Sequence, residues 1–391
     1  MRLAIIGDSH FSARSRFEEC VRVHDWIAQD ARRRNVDAII HTGDLYDHQT
    51  APGERDAAAE WVQKMADIAP VVIVRGNHDP LGDLPLLERL RAHHMITVVE
   101  TAATIFLDTK AGALAIGALA WPQRSNIAQL AAIGSGEAVN IAAADALRGV
   151  FRYFGAFFDQ QPSHIPRIVA AHAMVRASRV STGQPLVGCD FEIGLEDLSL
   201  AGADFVALGH VHMGQGWHAT NGAPIAYPGS PRRTNFGELE TKGYIIAEFS
   251  DRLVGLGVID TPTTPMLLLE DIWAWFPDEQ RDDWQKHWEL REEEQDPVAG
   301  ADIKFRYSVL SSKREAAALA AQSVADALLK RGAISVVCDP VVLVEQRARA
   351  PEVARASTLK DKVVALWDSK GFDPAERRDA LFDKISRLDG S

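Results

Sequence analysis

The chain has 391 residues, of which 47% are hydrophobic and 25% are charged, and its formal net charge is −12. This balance indicates a globular protein long enough for more than one domain, because single domains usually stay below about 250 residues. The negative charge disfavours broad, nonspecific attraction to nucleic acid, so any such contact would need local positive patches or bound metal.

The N-terminal segment MRLAIIGDSH carries one basic residue before a short apolar run, unlike a signal peptide or a membrane span. We therefore expect a soluble protein with no membrane association, located in the cytoplasm. The three cysteines, Cys20, Cys189 and Cys338, lie far apart without CxxC spacing, which argues against a disulfide framework or a zinc ribbon. The sequence has no GxxxxGK[ST] run, so an ATP requirement would have to come from a partner.

Five short apolar runs are typical of buried strands, and in chain order they are Leu3 to Ile6, Ala38 to Ile40, Val71 to Val74, Ile168 to Ala171 and Phe205 to Leu208. Two amphipathic helical stretches separate the first three runs, Phe17 to Arg34 and Glu54 to Ile68. This alternation of strand and helix predicts an α/β fold, in which right-handed crossovers make the strands parallel.

The helical spacers shorten beyond Thr97, where the pattern changes to that of a layered sandwich. Further strands are predicted at Thr104 to Leu107, Ala113 to Leu119 and Tyr244 to Phe249. An alanine-rich helical insertion is expected over roughly residues 125–160.

Polar side chains follow each of the five runs, and they are Asp8 with His10, Asp44, Asn77 with His78 and Asp79, His172, and His210 with His212. Parallel strands bring their carboxyl ends to one edge, so we expect these groups to meet in a single crevice. Residues two apart in extended backbone point the same way, which lets each DxH or HxH pair converge on one point.

Seven of these groups are oxygen or nitrogen ligands, namely Asp8, His10, Asp44, Asn77, His172, His210 and His212. This number suits two ions that share a carboxylate, and Asp44 is the natural bridge. A donor set without thiolate fits manganese, iron or zinc, and ligand type alone does not rank them. One such residue would more often be an ordinary turn or surface group, so the coincidence at five strand ends carries the interpretation.

The motif order DxH, GDxxD, GNHD, H, GHxH stands here as GDSH, GDLYD, GNHD, AAHAMV and GHVH. In this order the sequence resembles the calcineurin-like metallophosphoesterases. The stretches FVALGHVHMGQ and IAYPGSPRRTNFGELETKGY are similar to the SbcD-type DNA-repair nuclease subunits within that superfamily. The resemblance covers residues 1 to 260 best and implies a four-layer α/β/β/α sandwich that holds two manganese ions.

The resemblance also implies individual roles for the strand-end residues. One ion would be bound by Asp8, His10 and His212, the other by Asn77, His172 and His210, with Asp44 shared. His78 would bind no metal and would stabilise or protonate the departing oxygen, and Asp79 would hold its ring. The implied reaction is hydrolysis of a phosphodiester bond by water that two metal ions activate.

Arginines follow the same strand ends and predict a positive rim that binds DNA phosphates without reading bases. The candidates are Arg14, Arg75, Arg176, Arg232 and Arg233. For any one of them a place on an ordinary solvated loop is the alternative.

A domain boundary is expected at TPTTP, residues 261–265, where the composition changes. Beyond it, IKFRYSVL, KREAAALAAQSVADALLKRG and ISVVCDPVVLVE predict a strand, a helix and a strand, similar to the capping domain of SbcD-type proteins. We expect a nuclease domain over 1–260, an α+β capping domain over 266–345, and a linker with a helical tail over 346–391. The resemblance implies that the tail docks on an SbcC-type ATPase.

The combined interpretation is a metal-dependent DNA exonuclease or endonuclease, acting as a homodimer with an SMC-like ATPase. Two alternatives stay open. One is a phosphodiesterase for cyclic nucleotides or small phosphoesters that uses the same metal site. The other is a mainly noncatalytic subunit that tethers DNA.

Overall fold

The computed structural model describes residues 1–14, 16–47, 50–122, 137–182, 184, 192–272, 297–343, 351–371 and 378–389. The chain divides into two units. Of the described residues, the larger unit contains those up to 269 together with 297–304 and 327–337, and the smaller unit contains the others.

The first sheet of the larger unit has six strands, Arg2–Ile6 (β1), Ala38–His41 (β2), Val71–Val74 (β3), Ile96–Val99 (β4), Gly243–Phe249 (β13) and Leu253–Asp260 (β14). Their order is β14, β13, β1, β2, β3, β4. The four strands from β1 to β4 are parallel, and β13 and β14 add an antiparallel edge. The near-continuous apolar runs in β1 to β3 fit strands that are covered on both faces.

The second sheet has six strands, Ala102–Thr109 (β5), Gly112–Leu119 (β6), Arg167–His172 (β7), Phe205–Gly209 (β10), Gln215–His218 (β11) and Pro224–Tyr227 (β12). Their order is β11, β12, β10, β7, β6, β5. The four central strands are parallel. The short strands Met174–Val175 (β8) and Glu192–Ile193 (β9) pair separately.

Three apolar cores define the layers of this unit. Leu3, Val72, Ile116, Ile168 and Phe205 belong to a core between the two sheets. A second core joins the first sheet to helices Phe17–Arg33 (α1) and Pro52–Ala66 (α2), and a third joins the second sheet to helices Glu137–Asp159 (α3) and Leu195–Ser199 (α4). The predicted α/β/β/α sandwich is therefore confirmed.

Helix α1 shows why these segments fold as they do. Its buried residues Cys20, Val23, Ile27 and Ala31 recur at helical spacing and face the first sheet. Acidic residues lie in the first turn and basic residues in the last, which complements the helix dipole. None of the described helices combines the length and apolar character that crossing a membrane requires.

The C-terminal elements include a sheet of Met266–Ile272 (β15), Asp302–Leu310 (β16) and Ser335–Leu343 (β17) in that order, with helix Arg314–Lys330 (α5) between the last two in sequence. The predicted strand, helix and strand are thus present. Helices Pro351–Arg355 (α6), Leu359–Lys370 (α7) and Arg378–Asp389 (α8) follow.

The tail helices α7 and α8 contact each other. The rings of Trp367 and Phe382 lie 5.8 Å apart, and the ammonium of Lys360 lies 4.5 Å from the centre of the Phe382 ring. The two tail helices therefore pack against each other within this chain. The predicted linker residues 346–350, the insertion residues 125–136 and Cys189 lie outside the described residues.

Candidate metal centre

The carboxyl ends of β1, β2 and β3 in the first sheet meet those of β7 and β10 in the second, because the two sheets pack face to face. In the described part of the chain, six residues other than glycine have a positive φ, and four of them are the predicted ligands Asp8, His10, Asp44 and His210, with φ from 47° to 107°. Such backbone strain is characteristic of functional sites. The strained turns aim these side chains at the crevice.

Two glycines in the motifs allow the strand ends to approach each other. Gly43 has a φ of 105°, and a Cβ there would overlap the His172 ring. A Cβ at Gly76 would overlap both the carboxylate and the backbone nitrogen of Asp44. The glycine before each of the ligands Asp44 and Asn77 is therefore required by space.

Gly76→Ala is expected to lower the free energy of unfolding by about 1–3 kcal/mol, the usual cost of overpacking a close contact. The measurement is urea unfolding of the metal-free protein. Gly53→Ala is the matched control, since a Cβ at Gly53 meets nothing within 4 Å in the first turn of α2. The steric interpretation is wrong if the two variants have the same stability.

Asp44 lies between two groups of donor atoms. Its Oδ2 is 3.3 Å from Nε2 of His172 and 3.8 Å from Nε2 of His10. The Nε2 atoms of His10 and His212 are 2.9 Å apart. One carboxylate oxygen thus faces imidazoles from both sides of the crevice.

Asn77 and Asp8 complete the two groups. The Oδ1 of Asn77 is 2.9 Å from Nε2 of His172 and 3.0 Å from Nδ1 of His210. Asp8 accepts the backbone N–H of His210 at Oδ1, at 2.8 Å, while its buried Oδ2 has no hydrogen-bond partner. The structure therefore brings all seven predicted ligands together in one crevice.

The charges in this crevice are unevenly balanced. Burial raises the pKa of Asp8 against the opposing positive charge of His172. Burial also acts to raise the pKa of Asp44, but the charge and hydrogen bond of His172 hold it well below its usual value. Burial acts to lower the pKa of His172, but the charge and hydrogen bond of Asp44, together with the charge of Asp8 and the hydrogen bond to Thr42, raise it to about 9. In the metal-free protein these shifts favour a protonated His172 imidazole beside an ionised Asp44 carboxylate.

The residues fit a divalent cation by the chemistry of their donor atoms. Nδ1 of His172 lies 2.8 Å from the carbonyl of Thr42, which can only accept, so Nδ1 keeps a proton and Nε2 is the nitrogen that a cation would bind. The unpartnered Oδ2 of Asp8 is a buried oxygen of the kind that a cation satisfies. Asp8, His10 and His212 each offer one ligand atom, and these three atoms lie within 4.8 Å of one another, so the three residues could hold one ion.

Asp79 is predicted to hold the ring of His78, but in the structure its carboxylate accepts backbone N–H groups. Its Oδ2 accepts the backbone N–H groups of Asp44, at 2.9 Å, and Gly76, at 2.8 Å, and its Oδ1 accepts that of Tyr46, at 2.9 Å. Both oxygens are thus used to hold the loops that carry Asp44 and Asn77. Asp79 therefore fixes the backbone of the site.

Asp47 contacts the ring of His78, and sequence reasoning missed it. Its carbonyl oxygen is 2.9 Å from Nδ1 of His78, and its Oδ1 is 3.3 Å from Nδ1 of His10. Asp47, His10 and His78 also form a cluster of possible metal ligands. The second carboxylate of the motif GDLYD was the signal that could have indicated this residue.

A buried ion pair under His212 was also missed. Nζ of Lys242 contacts the His212 carbonyl at 3.2 Å and Oε2 of Glu238 at 2.7 Å, and both charged side chains are fully buried. Gln184 donates to the carbonyl of His210 and accepts the N–H of His212. Glu238 and Lys242 are only four residues apart. The contacts of Lys242 and Gln184 with the backbone of His210 and His212 span 26 to 30 residues, and no local sequence pattern indicates them.

The predicted arginine rim is reduced by the structure. Arg75 and Arg232 are 3% and 1% exposed, so their guanidinium groups are inside the protein. Arg233 donates to the carbonyls of Glu238 and Glu240. Three of the five arginines thus hold backbone carbonyls, and Arg14 and Arg176 are the exposed ones.

Comparison with known proteins agrees with this architecture. A family model for calcineurin-like phosphoesterases matches residues 1–214, more than half of the chain. The SbcD subunit of the nuclease SbcCD from Bacillus subtilis is 26% identical over 252 residues, which cover 61% of this chain and 63% of that protein. The protein of the same name from Escherichia coli is 28% identical over 293 residues, with coverage of 69% and 71%.

An archaeal relative shows a similar match. The DNA double-strand break repair protein Mre11 of Halobacterium salinarum is 26% identical over 265 residues, covering 64% of this chain and 56% of that protein. The chain thus spans less than two thirds of the B. subtilis and H. salinarum relatives. The chain belongs to the calcineurin-like phosphoesterase family, and over the matched residues it is similar to the SbcD and Mre11 proteins.

Proposed function

We propose that this chain is a nuclease that hydrolyses DNA phosphodiester bonds with two bound divalent ions. The single observation that carries the proposal is the position of Asp44 between two groups of donor atoms, next to the unpartnered Oδ2 of Asp8. The relatives named as nuclease subunits and as a DNA double-strand break repair protein support DNA as the substrate.

The proposed ligands divide into two sets around Asp44. They are Asp8, His10 and His212 for one ion, and Asn77, His172 and His210 for the other. Manganese is the proposed metal, on the family resemblance. When bound, two such ions supply the Lewis acidity that activates water and screens charge on the phosphoryl oxygens.

His78 is proposed to move a proton at its Nε2 atom. Its Nδ1 faces the carbonyl of Asp47 at 2.9 Å, and a carbonyl accepts but does not donate, so Nδ1 carries hydrogen. The proton that the ring gains and loses is then on Nε2. When Nε2 carries a proton, the ring can donate it to the departing 3′ oxygen of the DNA.

The wider assignment also follows the relatives and the resemblance. We propose that the chain is the catalytic subunit of an SbcCD-like complex, that it pairs as a homodimer, and that helices α7 and α8 dock an SbcC-type ATPase. Arg14 and Arg176 are the proposed surface contacts to DNA phosphates. The domain boundaries at 260, 266 and 345 and the cytoplasmic location stay predictions.

Cleavage assays in manganese buffer test the proposal. Single-stranded DNA, bis-p-nitrophenyl phosphate and cyclic nucleotides are compared at equal enzyme concentration, with EDTA as the negative control. We expect EDTA-sensitive cleavage of DNA. Cleavage of cyclic nucleotides with no action on DNA would favour the small-substrate phosphodiesterase, and DNA binding without any cleavage would favour the tethering subunit.

His78→Ala is expected to slow DNA cleavage by about 10²–10⁴-fold, the usual contribution of general acid catalysis. Cleavage of bis-p-nitrophenyl phosphate should slow much less, because nitrophenolate departs without needing a proton. The measurement is kcat for both substrates with the same enzyme preparation.

His93→Ala is the matched control for this variant, since the His93 side chain is 81% exposed. Manganese affinity, measured by isothermal titration, should be similar in the wild type and in His78→Ala. Equal losses on DNA and on the nitrophenyl ester would rule out proton delivery by His78.

A further inference from the structure

Trp121 lies just after β6, at the carboxyl edge of the second sheet where the proposed metal ligands gather. Its ring centre is 4.7 Å from that of His210, with the planes 33° apart, and 5.8 Å from that of His172. Within the described residues these are its ring contacts, and the side chain is half-buried. A large aromatic surface thus borders the proposed ligands while part of it remains accessible.

The backbone of Trp121 is held in place by the buried Arg75. The N–H of Trp121 donates to the carbonyl of Arg75 at 2.9 Å, and Nη2 of Arg75 donates back to the carbonyl of Trp121 at 3.3 Å. The same guanidinium contacts the carbonyls of Gly76 and Glu100. Arg75 therefore ties the tryptophan to the loop that carries Asn77.

A ring held in this way needs little further ordering when a ligand binds. Every nucleobase has an apolar face, and stacking of a base on an aromatic side chain is tolerant of sequence. A phosphate at the metal ligands would place its attached nucleotide near this ring. A small phosphoester without a base would gain nothing from it.

We infer that Trp121 is a platform on which an unpaired nucleobase stacks beside the scissile phosphate. The inference rests on the proposed nuclease function and names its substrate class, nucleotides that are not paired in a duplex. A base inside a duplex must first leave its stack, which costs a few kcal/mol. Trp121 thus selects strand ends and single strands over intact duplex and over phosphoesters that lack a base.

The test compares an oligothymidylate with an oligomer of the same length made of abasic residues. The value of kcat/KM is measured for both substrates with the wild type, Trp121→Ala and Trp121→Phe in manganese buffer. In Trp121→Ala the preference for the base-bearing oligomer should fall by about 5- to 140-fold, which corresponds to about 1–3 kcal/mol of stacking. Trp121→Phe should keep most of the preference.

Tyr153→Ala is the control, because it removes an exposed ring from α3, where Tyr153 is 57% exposed. It should keep the wild-type preference. If Trp121→Ala also keeps that preference, the inference is overturned, whatever the absolute rates. A joint loss on both oligomers with weaker manganese binding would likewise overturn it, since the ring would then only position His210.

A different experimental result would show that the nuclease proposal itself is wrong. In that case the wild type cleaves neither oligomer in manganese buffer. The dissociation constants of the oligothymidylate and the abasic oligomer are then measured by fluorescence anisotropy. The ratio of the abasic value to the oligothymidylate value decides the inference alone. A ratio that drops in Trp121→Ala supports stacking, and a ratio that does not drop overturns it.

Discussion

Asp44→Asn is expected to lower manganese-dependent phosphodiesterase activity by at least about 10³-fold. Even residues that only support a metal ligand typically account for 10- to 100-fold in affinity or activity, and Asp44 is proposed to serve both ions. Asparagine has nearly the same shape, so the change removes the negative charge while disturbing the packing little. The primary measurement is kcat/KM on bis-p-nitrophenyl phosphate across manganese concentrations.

Thermal unfolding gives a second readout that does not depend on catalysis. A ligand present at 100 times its dissociation constant stabilises the folded state by about 2.7 kcal/mol, so manganese should raise the Tm of the wild type. Asp44→Asn should lose most of that rise. Asp108→Asn, which changes an exposed carboxylate on β5, should keep both the rise and the activity. Full activity in Asp44→Asn would contradict a shared carboxylate.

The seven proposed ligands could be predicted because each follows an apolar run that is typical of a strand. The polar residues after β1, β2 and β3 lie at the same edge by the rule for parallel strands. Local sequence was therefore sufficient to group them. It was not sufficient to show that the runs divide between two sheets, with β1 to β3 in one and β7 with β10 in the other.

The supporting residues were harder to predict, because their roles depend on contacts between distant segments. Asp79 follows His78 directly, and that adjacency suggested a contact between their side chains. In the structure its carboxylate turns toward the backbone of Asp44 and Tyr46, more than thirty residues earlier. Sequence adjacency thus indicated the right loop but not the backbone groups that the carboxylate holds.

The arginines also show that local sequence does not indicate contacts between distant segments. Positions after strand ends suggested contact with phosphate, but Arg75 and Arg232 are buried. Arg232 donates to the carbonyl of His10, a residue 222 positions away. A guanidinium with several donors can hold backbone carbonyls as well as phosphate oxygens, and only burial distinguishes the two uses. The buried guanidinium groups of Arg75 and Arg232 thus hold the backbone beside the proposed metal ligands.

Lys242 is the clearest case of such support. Its Nζ contacts Glu238 and Glu240, at 2.7 and 2.9 Å, and the hydroxyl of Ser230, at 3.1 Å. The fourth contact is the carbonyl of His212. Glu238 in turn accepts from the hydroxyl and the backbone N–H of Thr234. The ion pair thus joins a proposed ligand to the loop that follows β12.

Lys242→Met is expected to lower the free energy of unfolding by about 3–5 kcal/mol, since it leaves the carboxylate of Glu238 buried without its cation. Methionine fills a similar volume, so loss of packing contributes little. The measurement is urea unfolding of the metal-free protein. Manganese affinity should also fall, because the carbonyl of His212 loses its donor and the ligand is less firmly held.

A double variant separates the charge from the packing. Lys242→Met with Glu238→Gln removes both charges of the fully buried pair, and it should be more stable than Lys242→Met alone because the residue at 238 is then neutral. Lys64→Met is the matched control, since the Lys64 side chain is 42% exposed and its ion pairs lie at the surface; that change should cost no more than about 1 kcal/mol. If Lys242→Met costs no more than this control, the buried pair does not hold His212 in place, and the support for that side of the metal centre must come from Gln184.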